Sequence, residues 1–312
     1  MRQEMTTREA YGQALLELGR INENFVVLEA DIAKSTRTEL FAKEFPERFF
    51  QMGIAEQNEF GVAAGMAMSG KIPFISTYAV FASMRALEQI RTFMAYPNLN
   101  VKIAVSHGGL TPGNDGPTHQ AIEDMAIMRS IPNMTVVMPS DGIMTKKAVA
   151  AALEYNGPVY LRFTRDEIPI IYDNNLEFKL GRAFLHMEGN DVTLITIGDM
   201  LSHTLHAARI LVEEGISVRV LDMPTLKPLD QEAVLLAAQE TGAIVTVEDH
   251  TILGGLGSAV AETLVENMPI PLKRVGIKDT FAESGPYHQL LKKYGLSSSH
   301  IQAAARQVIS MK

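Results

Sequence analysis

The sequence predicts an α/β protein made of two doubly wound, mostly parallel-sheet domains. Short apolar segments alternate with helix-like segments from residue 25 to residue 163, and the same alternation returns from residue 192 to residue 276. Turn-rich sequence separates the two blocks. Strands that alternate with helices form parallel sheets covered on both faces. We therefore expect a first domain over 1–172, a linker over 173–190 and a smaller domain over 191–312.

Composition excludes several classes of protein. The 312 residues carry a net charge of −8 without a basic run, which predicts no binding to nucleic acid. No apolar run approaches the roughly 20 residues of a membrane helix, and the N-terminus lacks an apolar signal core. We therefore expect no membrane contact and a cytoplasmic location. The absence of cysteine excludes disulfides, thiolate metal sites and cysteine nucleophiles.

The first block begins with an amphipathic helix over Thr7–Arg20 and a buried strand over Phe25–Ala30 that delivers Asp31 to a loop. In parallel sheets, ligands bind beyond the carboxyl ends of the strands. The residues that directly follow each strand are therefore the first candidates for function. The other predicted elements of this block are helices over 60–68, 84–93 and 146–155 and strands over 72–76, 101–106, 135–139 and 158–163.

The linker is predicted from two turn-like sequences, Asp173-Asn-Asn175 and Glu188-Gly-Asn190. The second block then repeats the α/β pattern on a smaller scale. Its predicted elements are strands over 192–196, 217–222, 243–248 and 272–276 and helices over 203–214, 230–239 and 256–266.

The segment Gly53–Gly65 places two carboxylates, Glu56 and Glu59, at the start of a helix rich in alanine and glycine. Small residues allow close packing against another helix, so Glu56 can lie in a buried interface. The simpler interpretation is a pair of acids favoured by the positive end of the helix dipole.

The segment Ser106–Gln120 follows a predicted strand and is dense in glycine, proline, histidine and aspartate. Glycine lets the backbone approach a ligand closely. His107, Asp115 and His119 share this loop, and that combination favours a functional loop over a merely rigid one.

The segment Ile75–Phe81 carries Tyr78 and Phe81 near the same crevice. Core packing is the usual role of such aromatic residues, but the pair can also form a stacking face for a heterocycle. Gly254-Gly-Leu-Gly257 opens a helix, and it can either cradle an anion or serve tight packing.

Taken together, the first three segments resemble the C-terminal half of transketolase, in which the pyrimidine-binding domain of a thiamine diphosphate enzyme precedes the transketolase C-terminal domain. The resemblance covers roughly residues 5–305. Its most specific marks are Asn114-Asp-Gly-Pro-Thr-His-Gln120, Ile54-Ala-Glu-Gln57 followed by Gly65, and Ser76-Thr-Tyr-Ala-Val-Phe81.

The chain departs from the full transketolase pattern, because the Gly-Asp-Gly segment that holds the diphosphate through magnesium occurs nowhere in it. It therefore resembles the separate C-terminal subunit of a split transketolase. That resemblance implies thiamine diphosphate bound here by its pyrimidine end, and a Mg²⁺ ion held mainly by an N-terminal partner subunit that carries Gly-Asp-Gly. It also implies sugar phosphate substrates and a homodimer of this chain within a heterotetramer.

The resemblance assigns roles to individual residues. Glu56 and His119 match catalytic positions, with Glu56 bonded to the pyrimidine N1′ from an apolar, water-poor place. Tyr78 matches the residue that stacks on the pyrimidine, and Phe81 belongs to the same pocket wall. Glu59 is expected to be structural.

Residues that contact substrate carry over in the same way. Asp115 and His119 match the pair for sugar hydroxyls. The positions that match phosphate contacts are His107, Arg165, Arg8 and Ser35. Arg162 is an alternative to Arg165, because strand alternation directs the two to opposite faces.

Related chemistries remain open at this point. Deoxyxylulose-phosphate synthase has a similar Ala-Glu-Gln motif, and the β subunit of 2-oxo-acid dehydrogenases has the same two domains. A transketolase with a modified or sulfonated ketose donor is a further alternative. A non-catalytic protein that binds a partner is disfavoured by the presence of Glu56, Tyr78, Asp115 and His119 together.

Overall fold

The structure of the protein is a computed structural model that describes residues 4–312. Its strands are β1 (Glu4–Thr6), β2 (Phe25–Glu29), β3 (Phe49–Gln51), β4 (Ile72–Tyr78), β5 (Lys102–Ser106), β6 (Thr135–Val137), β7 (Val159–Arg162), β8 (Glu167–Pro169), β9 (Phe184–Met187), β10 (Val192–Thr196), β11 (Val218–Asp222), β12 (Thr225–Lys227), β13 (Ile244–Thr251) and β14 (Leu272–Ile277).

The α-helices are α1 (Thr7–Gly19), α2 (Ala33–Thr36), α3 (Glu39–Glu44), α4 (Glu56–Met68), α5 (Ala79–Met84), α6 (Asp124–Ser130), α7 (Gly142–Glu154), α8 (Met200–Glu213), α9 (Gln231–Thr241), α10 (Leu256–Asn267), α11 (Tyr287–Lys293) and α12 (Ser298–Ile309). Two 3₁₀ turns (Pro46–Arg48 and Gly113–Asp115) and one π-helical segment (Gln89–Ala95) complete the list. Within residues 4–312 no helix is both long and apolar enough to span a membrane.

Seven strands form the larger sheet in the order β12-β6-β7-β5-β4-β2-β3. All neighbours run parallel except β12, which pairs antiparallel with β6. Strands β2, β5 and β7 are buried along their whole length, as expected for a sheet covered by helices on both faces.

Five strands form the smaller sheet in the order β14-β13-β10-β11-β9. The first four run parallel, and β9 adds an antiparallel edge. Two mostly parallel sheets flanked by helices confirm the predicted fold class.

Three features differ from the sequence-based expectations. The helix predicted over 84–93 is instead α5, which ends at Met84, followed after a break by the π-helical segment 89–95. Strand β9 lies inside the predicted linker and pairs with the smaller sheet. Strand β12 follows β11 in the second block but joins the larger sheet. β9 and β12 are edge strands whose hydrogen-bond partners, β11 and β6, lie far away along the chain, so the local sequence does not predict them.

The two sheets share a hydrophobic core. One cluster combines Met128 and Met138 from the first block with Leu226 and Leu256 from the second. Burial of apolar surface between the sheets stabilises their arrangement by about 25 cal/mol per Å². The two domains are therefore joined through a continuous apolar core.

Candidate active site

Two parallel strands bring the first pair of site residues together. Tyr78 is the last residue of β4, and its register partner is Ser106 at the end of β5. His107 follows directly, with a left-handed backbone at φ 64° that turns the chain out of the strand. The Tyr78 and His107 rings consequently lie 3.9 Å apart between centroids.

Two further rings close this cluster. Phe81, on the first turn of α5, lies 5.6 Å from Tyr78, and His119 lies 5.4 Å from Phe81. The separation of Tyr78 and His119 is 6.0 Å. Four residues predicted from separate segments thus form one aromatic wall, which is suited to stacking against a planar heterocycle.

Glu56 is the first residue of α4, and only 5% of its side chain is exposed. Its Oε1 accepts a hydrogen bond of 2.8 Å from Nη1 of Arg85. The Arg85 guanidinium also lies 3.8 Å from the centroid of the Phe81 ring. Arg85 therefore links the carboxylate to the aromatic wall.

The surroundings of Glu56 correct one expectation. The side chain is buried as predicted, but a guanidinium contacts it, so the place is not purely apolar. The neighbouring Glu59 occupies the apolar position instead. It is fully buried, and neither of its carboxyl oxygens has a hydrogen-bond partner among the described residues. Burial, together with Glu29 and Glu56, raises the pKa of Glu59 well above its ordinary value, which favours the neutral form of this side chain.

A cleft of about 660 Å³ opens beside Glu56. Its walls come from the start of α4 and the end of α5, including Ile54, Asn58, Met84 and Arg85. The exposed fraction of the Ile54 side chain is 76% and that of Met84 is 46%. Glu56 is therefore reached from a face with apolar residues open to solvent.

Cationic side chains lie near His107 of the aromatic wall. Arg8 on α1 donates a hydrogen bond of 2.9 Å to the backbone oxygen of Ser35, so the Ser35 carbonyl and not its hydroxyl makes the contact. The Nε atoms of Arg8 and Arg37 are buried and have no partner in residues 4–312. Burial and the nearby charges of Arg37 and Arg165 lower the pKa of Arg8. Three arginines concentrate positive charge in this acidic protein.

Arg165 and Asp115 form an ion pair of 3.0 Å. The same Nη1 atom of Arg165 donates to the Pro112 carbonyl at 2.5 Å, which ties the arginine to the loop. Arg162 is fully buried and pairs with Asp124 at 3.0 Å. Arg162 therefore has no access to this surface, and Arg165 is the arginine placed near Arg8 and His107.

His107 is uncharged in this environment. Burial, reinforced by Arg8 and Arg165, lowers the pKa of His107 to about 3. Its Nδ1 lies 2.8 Å from the Ser106 hydroxyl. At neutral pH the imidazole therefore contributes no positive charge, and its Nε2 remains available for a hydrogen bond.

The glycine cluster that opens α10 is not an open anion site. The Glu248 carboxylate accepts the backbone N–H groups of Leu256 at 2.7 Å and Gly257 at 2.8 Å. The protein's own carboxylate thus fills the cradle. Among the described residues no group of three His, Asp or Glu side chains is placed to hold a metal ion.

Sequence reasoning missed two residues of this site. Arg85 lies four positions after Phe81, the spacing at which helical side chains meet, and that was the available signal. Arg37 lies in the loop after β2, beside the predicted Ser35. Neither arginine can be identified as a site residue from the sequence unless it is known which loops converge.

Comparison with known proteins follows the same division of the chain. The model of the transketolase pyrimidine-binding domain matches residues 3–170, and that of the transketolase C-terminal domain matches residues 181–301. A protein of Methanocaldococcus jannaschii, provisionally named as a transketolase C-terminal section, is 49% identical over 94% of this chain and 93% of its own.

Two further relatives extend the comparison. The 6-deoxy-6-sulfo-D-fructose transketolase subunit SqwH of a Clostridium species is 43% identical over 98% of this chain and 95% of its own. A solved structure of a split-gene transketolase in an inactive beta4 tetramer superposes with a TM-score of 0.93 at 51% identity, covering 99% of both chains.

Proposed function

Because the chain belongs to the transketolase family, we propose that it is the C-terminal subunit of a two-subunit transketolase. In this proposal the assembled enzyme transfers a two-carbon ketol unit from a ketose phosphate to an aldose phosphate. The observation that carries it is the convergence of a buried carboxyl, Glu56, with the aromatic wall of Tyr78, Phe81, His107 and His119.

The residues present fit the pyrimidine end of thiamine diphosphate. Oε1 of Glu56 is engaged by Arg85, whereas Oε2 makes no hydrogen bond within residues 4–312 and can accept one from a ring N–H. Tyr78 and Phe81 supply the stacking surface. When bound, the cofactor supplies a carbon nucleophile for the ketose carbonyl. The role of Glu56 is to hold a proton at the pyrimidine nitrogen N1′.

Arg85 influences how Glu56 performs this role. The Arg85 guanidinium at 2.8 Å occupies Oε1 of Glu56 and leaves Oε2 for the cofactor. The exposed fraction of the Arg85 side chain is 48%, so the arginine can move towards solvent.

The loop residues bind and orient the sugar. His107 presents a neutral Nε2, and His119 stands against Phe81, where it can contact hydroxyls near the reacting carbon. Asp115 accepts hydroxyl hydrogen bonds beside Arg165. Arg165 and Arg8 receive the terminal anion, for which the planar fork of arginine is suited.

The terminal anion can be a phosphate or a sulfonate. Arg8, Arg37 and Arg165 form a cationic cluster with unpartnered N–H groups, which suits either group. One relative is named for a sulfonated ketose, and this observation favours 6-sulfofructose as a second candidate donor.

The chain lacks Gly-Asp-Gly, so we infer an N-terminal partner subunit that holds the diphosphate and its Mg²⁺. Two copies of each subunit would form the proposed heterotetramer. The name of one relative as a C-terminal section, and the inactivity of a tetramer made only of such chains, support the inference.

Reconstitution tests the proposal. The chain is mixed with the product of the neighbouring gene, thiamine diphosphate and Mg²⁺, and product formation from xylulose 5-phosphate, 6-sulfofructose or pyruvate is measured with an aldose phosphate acceptor. Ketol transfer from either ketose that requires both subunits supports the proposal. Turnover of pyruvate but of neither ketose contradicts the proposal and indicates a synthase or a dehydrogenase.

Cofactor binding by the isolated chain provides a second test. Calorimetry should find weak binding of thiamine diphosphate or none, because the diphosphate ligands belong to the partner. Sub-micromolar, Mg²⁺-dependent binding without a partner would contradict the split-enzyme interpretation.

A further inference from the structure

The second domain contacts the loop Ser106–Gln120, called the substrate loop below, through one buried carboxyl. Asp249 on β13 accepts the backbone N–H of Leu110 with both oxygens, at 2.9 and 3.2 Å. Asp249 is fully buried, and the backbone oxygen of the same residue accepts a hydrogen bond of 3.1 Å from Nη2 of Arg162. Leu110 lies between His107 and Asp115, so this bond sits in the middle of the loop that carries both.

The backbone of the substrate loop packs so closely against the Asp249 carboxyl that position 109 has no room for a side chain. Gly109 has φ 62°, and a Cβ atom there would overlap the Asp249 carboxyl. The neighbouring Gly108 is paired with Ala121, and the Gly109 N–H donates to the Ala121 carbonyl at 2.8 Å. The loop is therefore built against the carboxyl of Asp249.

Tyr287 connects Asp249 to a second buried carboxyl. Its hydroxyl donates to Oδ2 of Asp199 and lies 3.4 Å from Oδ2 of Asp249. Burial raises the pKa of both Asp199 and Asp249. A hydroxyl has one proton to donate, so a proton on Asp249 directed at the Tyr287 oxygen would leave a single negative charge on the three groups.

The chain around Tyr287 also contacts the far end of the loop. The N–H of Gly285 donates to the carbonyl of Gly113 at 3.3 Å, and Nε2 of Gln120 donates to the carbonyl of Glu283 at 3.0 Å. The second domain thus contacts the substrate loop at its middle and near its end.

We propose that Asp249, supported by Tyr287 and Asp199, is a positioning residue that sets the geometry of His107 and Asp115 for substrate binding. This role rests on the function proposed above, and it gives the second domain a part in catalysis without contact with the reacting atoms. Small displacements of substrate-binding groups have large kinetic effects.

The test is Tyr287→Phe in the reconstituted two-subunit enzyme, with Tyr172→Phe as the matched control. The Tyr172 hydroxyl also bridges two buried groups, His186 at 2.7 Å and Asp222 at 2.8 Å, but it does not support the loop. We expect Tyr287→Phe to raise KM for the ketose phosphate roughly 10-fold with a smaller effect on kcat, and Tyr172→Phe to change KM less than about twofold. Equal changes in KM for both variants would overturn the proposal.

A conservative pair of variants separates positioning from packing. Asp249→Asn keeps one oxygen for the Leu110 N–H and nearly the same volume, so its KM should lie closer to the wild-type value than that of Asp249→Ala. Asp249→Ala should raise KM as Tyr287→Phe does, and if that variant does not fold, Tyr287→Phe still decides the question.

Hydrogen exchange gives a readout that needs no activity. In the isolated full chain, the amide of Leu110 should exchange at least roughly 10-fold faster in Tyr287→Phe than in wild type, with the urea midpoint of Tyr287→Phe close to that of Tyr172→Phe. Unchanged exchange would overturn the positioning role. An inactive wild-type reconstitution combined with faster exchange would instead contradict the proposed function and leave the positioning role supported.

Discussion

Glu56 is the single side chain on which the proposed chemistry depends most. Its Oε1 pairs with Arg85 and the residue lines the cleft, so we expect Oε2 to bond a pyrimidine nitrogen. We predict that Glu56→Gln folds normally but loses several orders of magnitude in kcat, beyond the roughly 10²–10⁴-fold typical of one acid–base group. Steady-state kinetics of the reconstituted enzyme measure this.

The matched control for this variant is Glu17→Gln, which changes a surface carboxylate that pairs with Lys146. It should keep full activity. If Glu56→Gln retained more than about a tenth of the wild-type rate, the buried Glu59 would become the candidate.

Arg165 tests the anion end of the site. Removal of one charge-assisted hydrogen bond costs about 1.5–3 kcal/mol, so Arg165→Ala should raise KM for phosphorylated sugars roughly 10-fold or more. KM for an unphosphorylated donor such as hydroxypyruvate should change little. Arg20→Ala, which breaks a surface pair with Glu44, is the control. Equal losses on both donors would argue against an anion-binding role.

At the scale of elements, the end of β2 determines where the loop with Ser35 begins. Glu29 is buried there and accepts hydrogen bonds from the Ile32 N–H at 2.7 Å and the Thr36 hydroxyl at 2.9 Å. Burial is the largest effect on this carboxyl and raises its pKa from 4.5 to about 7. The fold therefore favours the protonated form, and the stability that Glu29 contributes is present at low pH and is lost as the pH rises through about 7.

Glu29→Gln should consequently make the free energy of unfolding less dependent on pH. Glutamine resembles the protonated carboxyl, with its oxygen towards Ile32 and its NH₂ group towards Thr36. At pH 8 we expect the variant to be more stable by about 1–3 kcal/mol, and near pH 4 the difference should vanish. Urea unfolding at both pH values measures this, and a difference that grows towards low pH would reverse the assignment.

The substrate loop depends on glycine at position 109. Gly109→Ala combines a left-handed backbone with overlap between the new methyl group and Asp249. Gly215 has φ 87° but open space around it, so Gly215→Ala carries only the backbone cost. We expect Gly215→Ala to cost about 1–2 kcal/mol and Gly109→Ala clearly more. Similar losses by urea unfolding would show that Asp249 does not confine the loop.

At the scale of the whole molecule, one face of α4 lacks cover. A Cβ atom on Gly61 or Gly65 would meet nothing within 4 Å, and 78% of the Met68 side chain is exposed. The nearby Phe93 side chain is 46% exposed. Large exposed apolar patches mark interaction surfaces, so we expect this face to be covered in the assembled enzyme.

Gly65→Met tests that expectation. The variant should fold at least as well as wild type, because glycine is a poor helix former and the site is open. Its association with itself or with the partner subunit, measured by analytical ultracentrifugation, should weaken roughly 10-fold or more, since the added side chain prevents close helix approach. Ala303→Met on the exposed face of α12 is the control. Unchanged association would place the interface elsewhere.

The sequence alone determined the fold class and proposed the candidate residues of the site. The alternation of strand and helix predicted two parallel sheets with candidate residues at the carboxyl ends of their strands, and Tyr78 and His107 lie at the ends of β4 and β5. These inferences succeeded because they depend on the spacing of apolar residues and on the geometry of neighbouring parallel strands. Both are local properties of the chain.

Only the tertiary structure decided how the site is completed. The pairing of Arg85 with Glu56, the burial of Arg162 that leaves Arg165 near the other cations, and the contact of Asp249 with Leu110 join segments far apart in sequence. The charge state of His107 likewise follows from burial and from two arginines on other elements. Such contacts depend on which loops converge once the sheets pack, and no local pattern of residue types contains that information.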